Sequence, residues 1–314
     1  MTAIGLALLA AALNAAASVL QRRAARDEPA DREFSVRMLL DLARRPAWIG
    51  GITSVLAGFG AQAVALTLGR VAVVQPLLVA ELPFTILLAA LAFHLRPAGR
   101  DWWSIGALAV GLAAVVFALA PHGGDPVAVP GWQWAVGSGA TLGLAGAVVF
   151  LGLRAEGPRR AAAFGIATGI LFGYVAVLVA AVGAEYRFGL HGVLTAWQTW
   201  AVVVVGPSGF FMLQNALRAG NLVASQPGMT LANPLVATAW GVVVFGEQVR
   251  GGPWFALAGG GALLLVGGTL LLARSPLLTD DAGGHGHEGG REDDRGGGAG
   301  GDRAGRSHAR VHEA

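Results

Sequence analysis

The chain has 314 residues, 54% of them apolar and 13% charged, with a mean hydropathy of +0.60. Average soluble domains carry about 25% charged residues, so this is the composition of a membrane protein. Cysteine is absent, which excludes disulfides and thiolate metal sites. Every basic side chain is arginine, which excludes a Walker-type lysine, a Schiff base and a catalytic lysine.

Nine apolar runs are predicted to cross the bilayer, at about 2–20, 47–68, 71–94, 102–120, 131–152, 161–181, 197–217, 222–244 and 253–273. Each has about 20 residues, the length a ~30 Å hydrocarbon core requires at 1.5 Å per residue. Lipid offers backbone groups no partner, and runs this continuous favour helices over the alternating strands of a barrel. The expected fold is therefore all-α, a nine-helix transmembrane bundle. The first run lacks a basic start and is followed directly by Arg22 and Arg23, so it reads as a retained helix rather than a signal peptide.

Between the first two runs, residues 33–45 set Phe34, Val36, Leu39, Leu40 and Ala43 among Arg37, Asp41, Arg44 and Arg45. That pattern predicts an interfacial amphipathic helix ending before Pro46, with a plain basic loop as the alternative. In the sixth run Gly165, Gly169 and Gly173 fall on one face, a spacing for close helix packing. Residues 274–314 alternate Gly-Gly pairs, acids and arginines without hydrophobic periodicity and read as a disordered tail. Four of the seven histidines lie there, a weak invitation to metal.

Arginine placement orients the chain. The connections after the first, third, fifth and seventh runs hold 13 arginines and the C-terminal segment six more, against Arg70, Arg187 and Arg250 on the opposite side. Positive-inside then places the N-terminus outside and the tail in the cytoplasm, in a plasma (inner) membrane. Clusters of this kind are ordinary flanks of membrane helices and need no nucleic-acid partner. All nine tryptophans fall at or near span ends, as an interfacial belt requires.

An internal repeat is the strongest signal in the chain. Gly69, Gln75-Pro76 and Pro83 recur as Gly220, Gln226-Pro227 and Pro234, every position displaced by 151. By the span count the two copies run in opposite directions, which divides the bundle into a first half, 1–120, and an inverted second half, 131–273. Inverted halves that rock about a central site are the build of alternating-access transporters. Pro76 and Pro227 lie within the first two turns of their spans. Pro83 and Pro234 lie near the midplane, where each is expected to kink its helix and free carbonyls toward a cavity, with a kink that serves packing alone as the alternative.

Glu81 is the one acidic residue in the middle of a long apolar run. A carboxyl there is costly unless it is protonated, paired or facing a polar cavity, so it marks a site that exchanges protons or attracts cations. A hydrogen-bonded structural glutamate is the alternative. Its near counterpart in the other half is Asn233, one position off the repeat. Asn14, with Ser18 one turn away, Gln62, Gln75, Gln226 and Thr230 complete a candidate polar path, and Tyr174 is a further candidate. Each alone could equally bond across helices. Glu247, in Val-Phe-Gly-Glu after the eighth run, reads as a helix-end or loop-fixing residue.

The short turns, the midspan proline and Pro234 leading to Gly246-Glu247 resemble the drug/metabolite transporter superfamily and its EamA-type members, over about residues 1–273. The first copy departs from that pattern, since Pro83 leads to Phe-His-Leu-Arg-Pro. Ordinary members have ten helices in two inverted halves. A nine-span form, with the second helix replaced by the charged 33–45 segment and Ser18 to Ala24 after the first helix, is similar to the NIPA-type magnesium transporter branch. The resemblance implies secondary transport of a small metabolite, drug or nucleotide sugar or, in that branch, a divalent cation, and it transfers no metal-binding residue; that Glu81 with the amides would receive a hydrated cation is read from the residues alone. With no cysteine, no in-span histidine except His94 at an end and no paired catalytic carboxylates, no enzyme activity and no cofactor are expected. The expected partners are a small-molecule or ion substrate and membrane lipids, with homodimerisation open. A non-transporting scaffold or lipid-binding protein is the third reading.

Overall fold

A bilayer gives an amide nothing to bond to, and each apolar run satisfies its own backbone as a helix. The computed structural model describes residues 2–26, 46–93, 97–219 and 222–273. The predicted interfacial helix at 33–45, the tail at 274–314 and the repeat position Gly220 lie outside the described residues. In chain order the helices are α1 (Thr2–Arg26), α2 (Pro46–Leu68), α3 (Val71–Leu77), α4 (Glu81–Ala92), α5 (Gly99–Leu119), α6 (Gly131–Leu153), α7 (Gly157–Glu185), α8 (Gly189–Thr195), α9 (Trp197–Ala219), α10 (Leu222–Val243) and α11 (Pro253–Ala273). A 3₁₀ turn, Leu78–Ala80, joins α3 to α4 within one span.

Eight described helical segments are long and apolar enough to cross a membrane, against the nine expected. The ninth, α10, has 22 residues, but Gln226, Asn233 and two internal prolines dilute its apolar character. The first and sixth spans overrun their predicted ends: α1 continues through Arg22 and Arg23, and α7 runs 29 residues. Two pairs of helices share a single displacement. Helix α2 covers 46–68 and α9 covers 197–219, 23 residues each, so both ends lie 151 positions apart. The span 71–92 and α10, 222–243, are 22 residues each and differ by the same 151.

Helix α7 is the post of the bundle, packing against α2, α6, α9 and α10. Its glycine stripe explains the closest of these contacts. Gly165, Gly169 and Gly173 lie against the backbone carbonyl oxygens of Ser225, Met229 and Asn233, so both helices present every fourth residue to the seam. Helix α1 packs on α2 and α4, and α5 packs on α11 through a reciprocal glycine contact, Gly111 on the Gly261 carbonyl and Gly261 on that of Gly111. The tryptophan belt is incomplete. Trp134 and Trp240 are buried, 4% exposed each, and stack with Tyr174 and Phe245, while the Trp240 indole N–H donates to Thr141 Oγ1 at 2.9 Å. The indole N–H found a hydroxyl inside the bundle, so it had no need of the headgroup layer.

The four connections at one end of the bundle are tied together. Residues His122–Gly123 pair antiparallel with Glu247–Gln248, a two-residue bridge in a helical fold. Arg70 donates to the Gly124 carbonyl at 2.8 Å, Arg187 pairs with Asp125 at 3.0 Å, and the Arg250 amide donates to the Leu119 carbonyl at 3.1 Å. Glu247 is the centre of this knot, as its predicted loop-fixing role requires. Its Oε1 accepts the Val71 N–H at 2.9 Å and its Oε2 the Ala72 N–H at 3.1 Å, capping the unsatisfied start of α3. Because Glu247 follows the C-terminus of α10 and caps the N-terminus of α3, those two helices meet head to tail.

Burial pushes the Glu247 carboxyl above its ordinary range, and the Ala72 and Val71 amides and the nearby Arg70 charge offset only part of that. A carboxyl raised in the folded state contributes stability that is complete below its unfolded pKa and is lost as pH rises through the folded value. The purified protein in detergent is therefore expected to melt lower as pH climbs above the ordinary carboxylate range, and Glu247→Gln to flatten that dependence. A melting profile with the same slope in both proteins refutes it.

Candidate functional site

The proline-rich spans shape the bundle centre. In the first, the helix is interrupted by the 3₁₀ turn at Leu78–Ala80 and restarts at Glu81. Pro83 sits in the first turn of the new helix, where its missing N–H costs little, and the break falls just ahead of it. In α10 the helix is unbroken through Pro227 and Pro234, so the predicted interruption is found in one copy and not the other. Of the four prolines, Pro234 faces the cavity described next, and Pro76, Pro83 and Pro227 are not among its lining residues.

A cavity of about 470 Å³ lies between α1, α2, the α3–α4 span, α7, α9 and α10. Seven residues of the predicted polar path line it: Asn14, Gln62, Gln75, Glu81, Gln226, Thr230 and Asn233. Six lie on four helices and Glu81 starts α4, which no local pattern could have brought together. Asn14 hydrogen-bonds the Glu81 side chain, and Gly58 on α2 leaves room for the Asn14 amide, whose Oδ1 would lie 2.5 Å from a Cβ built there. Gln75 is 1% exposed, yet neither its Nε2 nor its Oε1 has a partner among the described residues, and Asn233 Oδ1 is likewise unpartnered. Buried amide atoms of this kind are costly to leave unmade, and they face a space that something polar can fill.

Two candidates lie elsewhere. Tyr174 is buried on the opposite side of α7, sharing a hydrogen bond with Ser138 and stacking on Trp240. Two residues along a helix turn about 200°, so Phe172 meets the cavity and Tyr174 turns from it. Ser18, a full turn beyond Asn14, is not in the lining.

The apolar wall was not anticipated. Phe59, Phe172, Phe210, Met229, Leu78, Leu82 and several valines enclose the polar groups. A signal for part of it was present. Phe59 and Phe210 are separated by 151, as are Gln75 and Gln226, Leu78 and Met229, Val79 and Thr230, and Leu82 and Asn233, and both members of all five pairs line the cavity. Glu81 breaks the pattern, since position 232 is alanine.

Among the described residues no group of three or more His, Cys, Asp or Glu is placed to hold a metal ion. Among those residues Glu81 is the single carboxylate in the lining, and no arginine joins it.

An all-α bundle of membrane-length helices around a central mixed polar and apolar cavity is a multi-pass membrane protein of a kind that can mediate transport. The chain is 31% identical over 262 residues to a protein of Corynebacterium glutamicum described as uncharacterized, Cgl0250/cg0304, covering 82% of this chain and 90% of that one, and it belongs to the same family. No protein-family model matches the chain, and no solved structure matches it.

Proposed function

We propose that the chain is a secondary transporter that moves a small amphipathic metabolite by alternating access, with Glu81 as the coupling group. The observation that carries this reading is the cavity itself. It lies at mid-span, it sets one half-buried acid beside unpartnered amides, and its lining draws equivalent positions from two helices that meet head to tail. A static packing core would have no reason to leave both amide atoms of Gln75 unbonded.

The inverted repeat supports the mechanism. In this reading α2, α3–α4 and α5 answer to α9, α10 and α11, and α1 to α7, with the reciprocal Gly111–Gly261 contact lying on the pseudo-twofold axis. The helix left without a counterpart is then α6, rather than a second helix lost between α1 and α2. The tied end is the outer gate, the N-terminus faces outside and the tail the cytoplasm. Magnesium permeation is the weaker assignment, because one carboxylate among phenylalanine and aliphatic walls is a poor host for a cation that keeps its waters.

The chain contains no cysteine, so single-cysteine probes can be read without background. Gln226→Cys, near the start of α10, and Ala63→Cys, near the end of α2, both line the cavity and are expected to label with a membrane-impermeant maleimide from opposite faces of oriented vesicles. Substrate is expected to raise one rate as it lowers the other. Labelling that never changes, or that admits the reagent from both faces at once, defeats alternating access.

A further inference from the structure

We infer that the molecule carried in this cavity is an organic monocation, an amphipathic compound with a protonated amine and an apolar or aromatic body. The inference rests on the cavity being the transport site and adds the chemistry of its occupant.

Charge comes first. Among the described residues Glu81 is the one ionisable side chain in the lining, and no basic residue lies with it. A carboxylate in a low-dielectric enclosure needs either a proton or a positive partner. Asn14 supplies a hydrogen bond and no charge, so an ionised Glu81 has its counter-charge still to come. An anionic occupant would meet repulsion, and a neutral one would require Glu81 to keep a proton and so would gain nothing from its charge.

Shape and surface come second. Phe59, Phe172 and Phe210 line the same space, and the rings of Phe172 and Phe210 stand edge to face with centroids 6.0 Å apart. Aromatic faces attract organic cations and accept an apolar body, while they offer a hydrated metal ion no oxygen. At about 470 Å³ the cavity has the size of sites that enclose drug-like molecules. The third feature is Gln75, a fully buried amide with donor and acceptor both unmade. It can serve a second polar group on the occupant, which makes the occupant amphipathic rather than a bare hydrocarbon ammonium.

The test uses the full chain, purified in detergent, with three probes of one shape: phenylethylammonium, 2-phenylethanol and phenylacetate, together with magnesium chloride. Phenylethylammonium is expected to raise the melting temperature and to bind about tenfold or more tighter than the alcohol, the worth of one charge-assisted hydrogen bond. Glu81→Gln is expected to erase that preference. Should that variant not fold, Asn14→Ala removes the carboxylate's partner and is expected to shift amine affinity but not alcohol affinity. Equal affinity for the alcohol or the acid, magnesium as the sole binder, no amine binding at millimolar concentration, or unchanged selectivity in the variants overturns the assignment. Flux separates it from the transport reading. An amine that binds selectively but does not cross proteoliposomes leaves the occupant's chemistry standing and removes transport. Phenylacetate carried through gates that open in turn does the reverse.

Discussion

Glutamine in place of Glu81 is expected to cut amine flux into proteoliposomes by about ten- to a hundredfold, the range that losing a charge-assisted hydrogen bond of about 1.5–3 kcal/mol converts to. The substitution keeps the side-chain length and keeps a partner for Asn14, so the fold should survive it. What it removes is the single ionisable group of the cavity lining among the described residues. The residual flux of the variant is expected to be insensitive to pH between the two faces, because the exchangeable proton has gone. Retained flux with an unchanged pH profile shows that Glu81 is a structural hydrogen-bonding residue and no coupling group. Glu81→Asp keeps the charge and withdraws it by one methylene, so it is expected to fall between the wild type and glutamine.

A side chain at Gly169 is expected to be among the most damaging small changes in the bundle. A Cβ there would lie 2.5 Å from the Met229 carbonyl oxygen and 2.8 Å from Ala232 Cβ, closer than non-bonded atoms tolerate. The obstacle is backbone on α10, which cannot turn aside as a side chain can. The helices must separate, and separation breaks the seam at Gly165 and Gly173 as well. Gly169→Val is expected to cost about 3 kcal/mol, the upper part of the usual overpacking range, and to reduce the monodisperse fraction in detergent. Gly259→Ala is the matched control, since a Cβ there meets nothing within 4 Å. It should be neutral or mildly stabilising, because alanine is the better helix former. Equal melting temperatures for both variants would show that the seam yields.

Much of this architecture is legible in the sequence, for reasons that differ by element. Span positions follow from hydropathy because the bilayer fixes helix length, and α2, α10 and α11 start or end within a residue or two of expectation. The glycine stripe on α7 is readable because small residues every fourth position have few other uses. The polar path is readable because amides and acids are rare at that depth, and seven of its members meet in one space. What stays hidden depends on the direction in which a side chain points. Nothing local shows that Tyr174 turns from the cavity while Phe172 turns into it. Trp134 and Trp240 sit at the ends of apolar runs like their seven fellows, and only their tertiary neighbours pull them inside. The overrun of α7 was missed because its extra turns are polar at one end and weakly apolar at the other. The phenylalanine wall could have been found in part, since Phe59 and Phe210 obey the 151 spacing that the glutamines announced.

The length of α7 sets it apart from its neighbours. At 29 residues it extends about 43 Å, against about 30 Å of hydrocarbon, so it must lean or protrude where the 21- to 23-residue helices α2, α5, α6, α9 and α11 can stand nearly upright. Where the excess is taken up as lean, it is shared with the lipid: shorter acyl chains would press the post further over, longer ones would let it rise, and the helices packed on it would move in company. Acyl-chain length is thus expected to be a variable of this protein's mechanics, and the transport proposed for it to vary with the thickness of the membrane that holds it.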